Sequence, residues 1–386
     1  MPALAIGRRP TPRTGRPAHR PPPRQQDCGA AKYSPLSGWP CFRDVNATAE
    51  ILSTQTPALF QSAVRRATEL LRAGEVVALP TETVYGLAAN ALDARAVAKI
   101  FAAKGRPAHN PVIVHVASLA LARRCARAWP PLADRLAAKF WPGPLTLVLP
   151  RAREIPDNVA AGGDTVGVRW PAHPFIQAVI RACDFPLAAP SANVSNQVSP
   201  TNAEHVRDSL GDRIRLIVDG GQAQVGIEST VLDVSTRPLR ILRPGMIHLE
   251  TLMAVVGSDG VQSMEFTLGG GSPTNLPSPG LLRKHYSPRA RLVLWSWRDE
   301  ADLEAQLDLA KFQAADTCVI AHAQIPLGGV WRRISVIPHD AEAFARAIYA
   351  ELHACDATGA EWIVVEATPA TPEWRAITDR LRRAAA

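Results

Sequence analysis

The sequence predicts an α/β protein built in layers, in two successive units. Three observations carry that expectation. Short aliphatic and β-branched runs alternate with amphipathic helical stretches over 57–250; the alternation stops in a Gly/Ser/Pro-rich stretch at 251–288; and it restarts at Arg291. At 386 residues, 47% hydrophobic and 20% charged, the chain can bury two cores and has a globular composition. No run of about 18 apolar residues occurs, so no membrane span is expected.

Residues 1–50 are rich in Arg and Pro, with Pro21-Pro22-Pro23 at the centre. Such a segment lacks the apolar side chains that offset ordering entropy, and a disordered extension is expected. An Arg-rich, acid-poor start also fits an organelle transit peptide, although a dispensable extension or an over-early start codon is favoured. Up to position 43 there are eight Lys/Arg and one acid, so nearly all of the +8 net charge lies here. The remaining chain is almost neutral, which argues against a globally basic nucleic-acid-binding module.

A first helix is expected to open at Pro57, to bury Leu59, Ala63, Ala67, Leu70 and Leu71, and to stop at Gly74. A strand over 75–79 then delivers Pro80-Thr81-Glu82-Thr83. Asp93 can cap a helix that buries Val97, Ile100 and Phe101 and brings Lys104 out at its C-terminal end. The run 112–116 reads as a central strand, and further strands are expected at 145–149, 165–169, 186–189, 214–218 and 230–234. Helices fall at 118–128, 131–140 and 174–182, and another starts at Thr201, where Thr201 and Glu204 make a capping box. In the second unit, 289–386, strands are expected at 292–294, 318–321 and 362–366, with helices over 340–355 and 374–383. Its side chains show no catalytic pattern.

The six cysteines (Cys28, Cys41, Cys125, Cys183, Cys318 and Cys355) are scattered and form no C-x-x-C pair. Free thiols in a reducing compartment are expected, with neither a zinc site nor a redox dithiol.

Chemistry concentrates in Lys104-Gly105-Arg106 and Ser191-Ala192-Asn193, each just past a regular element. Two cations with a hydroxyl and an amide can hold a triphosphate without a glycine-rich loop, since Arg grips phosphate bidentately and Lys adds a point charge. Alone, Lys-x-Arg is common on surfaces and a Ser-Ala-Asn turn can cap itself. Their company is more specific: Pro80-Thr81-Glu82-Thr83-Val84-Tyr85-Gly86-Leu87, Asn110-Pro111-Val112-Ile113-Val114-His115, Thr165-Val166-Gly167-Val168-Arg169-Trp170-Pro171, Ala189-Pro190-Ser191 and Glu228-Ser229-Thr230-Val231. In this order and spacing the motifs closely resemble the YrdC-type threonylcarbamoyl-AMP synthases, from about Phe60 to Ile247. Pro279-Gly280, His285-Tyr286-Ser287-Pro288 and a C-terminal region look like that family's two-domain branch.

The resemblance implies a twisted, mixed open sheet around a concave cavity over 57–250, a linker or lid at 251–288, and a small Rossmann-like domain over 289–386. It implies condensation of L-threonine, bicarbonate and ATP to threonylcarbamoyl-AMP and pyrophosphate, in the cytoplasm. Partner proteins then transfer the group to tRNA beside the anticodon, and weak direct contact with tRNA is left open. Lys104 and Arg106 would serve the reaction. Thr83, His115, Arg169, Ala189 and Ser229 would bind threonine. Arg106, Asn110, Thr165, Ser191, Asn193, Ser199, Arg243 and Tyr286 would bind ATP, with Tyr286 folding over the nucleotide as part of the lid. Mg²⁺ would be held mainly through the phosphates, because no second carboxylate joins Glu82 at metal-ligand spacing.

Overall fold

Helix formation follows the local signals closely in the first unit. The computed structural model describes residues 48–257, 261–263, 278–280 and 284–386; of the extension expected over 1–50, residues 1–47 lie outside these, as does much of the Gly/Ser/Pro-rich stretch, and Glu50 already opens a strand. Thr56 opens the first helix, its hydroxyl accepting from the Leu59 amide, with Pro57 in the first position and Gly74 in the left-handed region just past the end. Ala63, Ala67, Leu70 and Leu71 are buried as the periodicity requires, whereas Leu59 is 45% exposed and does not belong to that face. Asp93 caps the next helix through the Arg95 amide, and Gly105 ends it with φ 60°, turning the chain so that Lys104 faces inward.

The first unit runs β1 (Glu50–Ser53), α1 (Pro57–Arg72), β2 (Val77–Leu79), β3 (Gly86–Asn90), α2 (Ala94–Lys104), β4 (Val114–His115), α3 (Leu119–Arg124), α4 (Pro131–Phe140), β5 (Leu145–Pro150), β6 (Thr165–Arg169), α5 (Pro174–Cys183), β7 (Leu187–Ala188), α6 (Ala203–Leu210), β8 (Leu216–Asp219), β9 (Thr230–Asp233), β10 (Leu239–Arg243), α7 (Leu249–Val256) and β11 (Val261–Ser263). Its strands form one mixed sheet in the order β1-β8-β2-β3-β7-β4-β6-β5-β9-β10-β11. Alternate residues of one strand serve opposite layers, as a pleated sheet demands. Val77 and Leu79 pack under α1 and α5, while Ala78 faces the core shared with α2, α4, α6 and α7.

Several elements differ from expectation. The strand at 112–116 shrinks to two residues, because Val112 pairs with the loop at Val159. Asn202, and not Thr201, caps α6, its side chain accepting from the His205 amide. Strands β1, β3 and β10 and helix α7 were not anticipated; β3 reads Gly-Leu-Ala-Ala-Asn, with no β-branched residue to mark it.

The second unit consists of β12 (Arg291–Trp295), α8 (Glu300–Ala310), β13 (Thr317–Ala321), β14 (Arg333–Val336), α9 (Ala341–Ala357), β15 (Trp362–Glu366) and α10 (Arg375–Ala384). Its four strands are all parallel, in the order β12-β15-β13-β14. Leu303 and Leu307 of α8 cover one face of this sheet, and α9 with α10 covers the other. That second layer is not closed within the unit. Val84, Val198 and Ile227 of the first unit share one apolar cluster with Phe344, Tyr349, Trp374 and Leu381.

Candidate active site

Strand ends and the loops that leave them converge on a cavity lined by Thr81, Thr83, Arg106, His115, Arg169, Ala189, Ser191, Glu228, Arg243, Gly280, His285 and Tyr286. The loop after β2 supplies Thr81, Glu82 and Thr83, and β4 and β6 end side by side in His115 and Arg169. Parallel pairing of β4 with β6 therefore sets the spacing between these two side chains.

Arg169 is 4% exposed. Its Nη1 donates to Thr83 Oγ1 at 2.9 Å, its Nε to the Gly143 carbonyl at 3.3 Å, and its Nη2 lies 2.7 Å from Glu82 Oε1. The last contact is an ion pair without hydrogen-bond alignment. Nη2 and both Glu82 oxygens are buried with no hydrogen-bond partner among the described residues, and so is His115 Nδ1. Burial, reinforced by the Arg169 charge, pushes the His115 imidazole down to about 3, so the ring is neutral at pH 7. Ser229 Oγ is shared between Thr146 Oγ1 at 2.8 Å and Arg243 Nη2 at 3.1 Å. The Ala189 amide donates to the Ile113 carbonyl.

Beside this pair lies a group of cations. Arg106 donates to Asn110 Oδ1 at 2.6 Å and to the carbonyls of Asn110 and Pro111, so it meets neutral oxygens and keeps its net charge. Burial lowers its guanidinium to about 9, which leaves it protonated at pH 7. Asn110 Nδ2 is buried without a partner among the described residues. Arg243 is buried and holds the Ser229 carbonyl through Nε at 3.0 Å. Lys104 is placed differently: its ammonium donates to the carbonyls of Ser191 at 2.6 Å and Asn193 at 2.5 Å. It staples the Ser-Ala-Asn turn, and full burial holds its pKa well below the ordinary value. Asn193 turns its amide nitrogen to the Val194 and Gln197 carbonyls.

A second cavity, of about 200 Å³, adjoins the first, sharing Ile113 and Pro279 with it. Thr165 stands in this second space with Val148, Val159, Gly167 and Val231, a largely apolar lining. Ser199 is fully buried and donates to Glu228 Oε1 at 2.6 Å. Tyr286 is 1% exposed, with its ring edge-on to His285 at 4.0 Å, stacked on Tyr349 at 5.9 Å, and its hydroxyl without a partner among the described residues. Gly280 sits at φ 84°, where an added Cβ would lie 2.7 Å from that hydroxyl, so only glycine lets the chain approach Tyr286 this closely.

Sequence reasoning passed over three residues here. Glu228 stood inside a quoted motif without a role of its own. Tyr349 and Arg380 come from the second unit, where no chemistry was expected. Arg380 was discoverable, because it falls between Ile377 and Leu381 on the apolar stripe of α10, a position where a charge needs a partner. No group of three or more His, Cys, Asp or Glu among the described residues is arranged to hold a metal, and Glu82 and Glu228 each already face an arginine. No helix of the described residues is long and apolar enough to cross a membrane.

Residues 69–245 match the family model Sua5_yciO_yrdC, described as "Telomere recombination", and residues 247–386 match "Threonylcarbamoyl-AMP synthase, C-terminal domain". A threonylcarbamoyl-AMP synthase of Pyrococcus abyssi is 39% identical over 83% of this chain and 93% of its own length. One from Bacillus subtilis is 40% identical over 86% and 94%. The crystal structure of P. abyssi Sua5 complexed with L-threonine superposes with a TM-score of 0.79 at 37% identity, covering 87% of this chain and 98% of that one.

Proposed function

The chain belongs to the threonylcarbamoyl-AMP synthase family of the Sua5/YrdC type, and from that premise we propose that it condenses L-threonine, bicarbonate and ATP to threonylcarbamoyl-AMP and pyrophosphate. The observation that carries the reading is the Arg169–Glu82 pair. A buried cation and a buried anion, each short of hydrogen bonds, are the complement of an amino acid's carboxylate and ammonium. Threonine would lay its carboxylate on Arg169 and Thr83 and its amino group toward Glu82, with Ala189 and Ser229 closing the pocket. Neutral His115 would contribute a hydrogen bond through its unpartnered Nδ1.

The chemistry asks mainly for positioning and charge. The threonine ammonium gives up a proton to water, and the freed amine attacks the bicarbonate carbon with loss of water to give a carbamate. A carbamate oxygen then attacks the α-phosphorus as the bond to the pyrophosphate oxygen breaks. Arg106 and Arg243 would neutralise the anion that leaves, Asn110 would offer its free amide, and Ser191, Asn193 and Ser199 would shape the phosphate side. Lys104 would act through the turn it holds, and the space around Thr165 would take the nucleoside. Tyr286 would close over the nucleotide and keep water from the carbamate and the mixed anhydride. Mg²⁺ would enter on the triphosphate as part of the substrate, since the described residues offer no ligand set of their own. Transfer proteins in the cytoplasm would then deliver the product to tRNA.

Incubating the purified full chain with threonine, bicarbonate and ATP tests this directly. Threonylcarbamoyl-AMP and pyrophosphate should form together, and only when all three substrates are present. Pyrophosphate release indifferent to threonine or to bicarbonate would defeat the reading.

A further inference from the structure

Glu228 is a carboxylate in the wall of a cavity proposed to receive a triphosphate, a placement that should repel the ligand. It is 7% exposed and lines the same space as Arg106 and Arg243. Its Oε1 accepts from Ser199 Oγ at 2.6 Å; its Oε2 accepts from Arg380 Nε at 2.8 Å and from the Tyr349 hydroxyl at 3.1 Å. Arg380 is itself 1% exposed. Its Nη2 donates to the Pro244 carbonyl at 2.9 Å, beside Arg243, and its Nη1 to Asp379 at 2.7 Å. Its guanidinium carbon stands 5.2 Å from the Tyr286 ring. Every donor to Glu228 Oε2 thus comes from α9 or α10 of the second unit, and the arginine reaches the wall of the cavity from outside.

We infer that Arg380 is a positioning residue for the synthase reaction, neutralising Glu228 so that Arg106 and Arg243 keep their charge for the nucleotide. The inference rests on the function proposed above, and it makes the second unit a structural part of the active site. Without Arg380, Glu228 would be a buried anion whose nearest cation is Arg243, and the phosphate side would lose a positive charge. Burial alone would raise the Glu228 carboxyl, yet Arg380 and Arg243 hold it at about 2, so it is ionised at every working pH. Arg380 faces Glu228, Asp379, Tyr286 and Tyr349, and no other carboxylate is available to release Glu228 from it among the groups that shift its titration.

The test separates charge balance from scaffolding. Calorimetry with a non-hydrolysable ATP analogue and, separately, with threonine should show Arg380→Met weakening nucleotide binding about tenfold or more, the effect of one uncompensated charge several ångströms from phosphate. Threonine binding should stay near the wild-type value. Adding Glu228→Gln should restore most of the nucleotide affinity, because the anion that required Arg380 is gone. Equal loss of both ligands without rescue, or no loss of nucleotide affinity, overturns the inference. Should the single variant fail to fold, the double variant decides, since it removes both members of the Glu228–Arg380 pair and strands neither. Near-normal nucleotide affinity in it supports charge balance and a large loss refutes it. Absence of product from the wild type would defeat the proposed function alone, because binding is read here without turnover.

Discussion

An ion pair held at 2.7 Å that leaves Arg169 Nη2 and both Glu82 oxygens without hydrogen bonds among the described residues is a poor stabilising contact and suits a ligand that supplies them. Desolvating Arg169 and Glu82 costs more than their misaligned attraction returns, and a ligand that completes both sets of hydrogen bonds recovers the difference. Arg169→Ala should therefore weaken threonine binding by about 2–5 kcal/mol, roughly 30-fold or more in Kd, and leave ATP affinity near wild type. Separate titrations with each ligand check this, and equal loss of both would place Arg169 elsewhere in the site. Arg106 meets only neutral oxygens, so its charge is available to a developing anion. Arg106→Ala should lower turnover by about 10²–10³, measured as pyrophosphate release at saturating substrates. Near-normal turnover would remove it from the phosphate side. Lys104 shows where residue-level reading fell short. The motif identified the lysine, but its ammonium turns to the Ser191 and Asn193 carbonyls, and only the fold of 191–193 against α2 decides that.

At the scale of elements, the packing of α9 against the turn at Gly226 is a demanding contact. The Val225 and Gly226 amides donate to the Glu82 and Thr83 carbonyls, so the turn before Glu228 rests on the loop that carries the proposed amino-acid site. Helix α9 presses on the other side of that turn. Gly226 has φ 85°, and a Cβ there would lie 2.3 Å from the Ala345 carbonyl oxygen and 2.4 Å from Arg346 Cα, both backbone atoms that cannot swing away. Gly226→Ala should lower stability by about 1–3 kcal/mol with a further 1–2 kcal/mol for the left-handed backbone, read as an earlier urea midpoint. An unchanged midpoint would mean that α9 is free to shift. Such contacts leave no trace in periodicity. Strand β5 was legible as a buried, mostly aliphatic run, and β6 by its alternation, which buries Val166 and Val168. Strand β3 and the Asn202 cap of α6 were not, because an alanine-rich strand and two adjacent polar residues look alike to local propensity.

For the whole molecule, burial of neutral imidazoles ties stability to pH. His115 and His285 are pushed down to about 3, chiefly by burial, against an ordinary value of 6.5. The unfolded chain takes up these protons below about pH 6.5 and the folded protein does not until about pH 3. Stability is thus fully present above 6.5 and is lost as pH falls through that window, by up to about 1.4 kcal/mol per histidine per unit. Glu228 acts in the same direction at lower pH, between its ordinary 4.5 and about 2. Thermal melts at pH 7.5, 6.5 and 5.5 should show a falling midpoint, and a flat profile would show that these rings take up protons in the folded state. The alternation of aliphatic runs with amphipathic helices determined the α/β class, and the order of short motifs determined the family and the identity of most cavity residues. Both are local properties, readable because side-chain period and turn chemistry act over a few positions. What the tertiary structure alone decided is which charges meet. Glu82 finds Arg169 across 87 positions, and Glu228 finds Arg380 across 152. A buried charge is tolerated only beside its partner, and no local pattern records a partner that the fold brings from another unit.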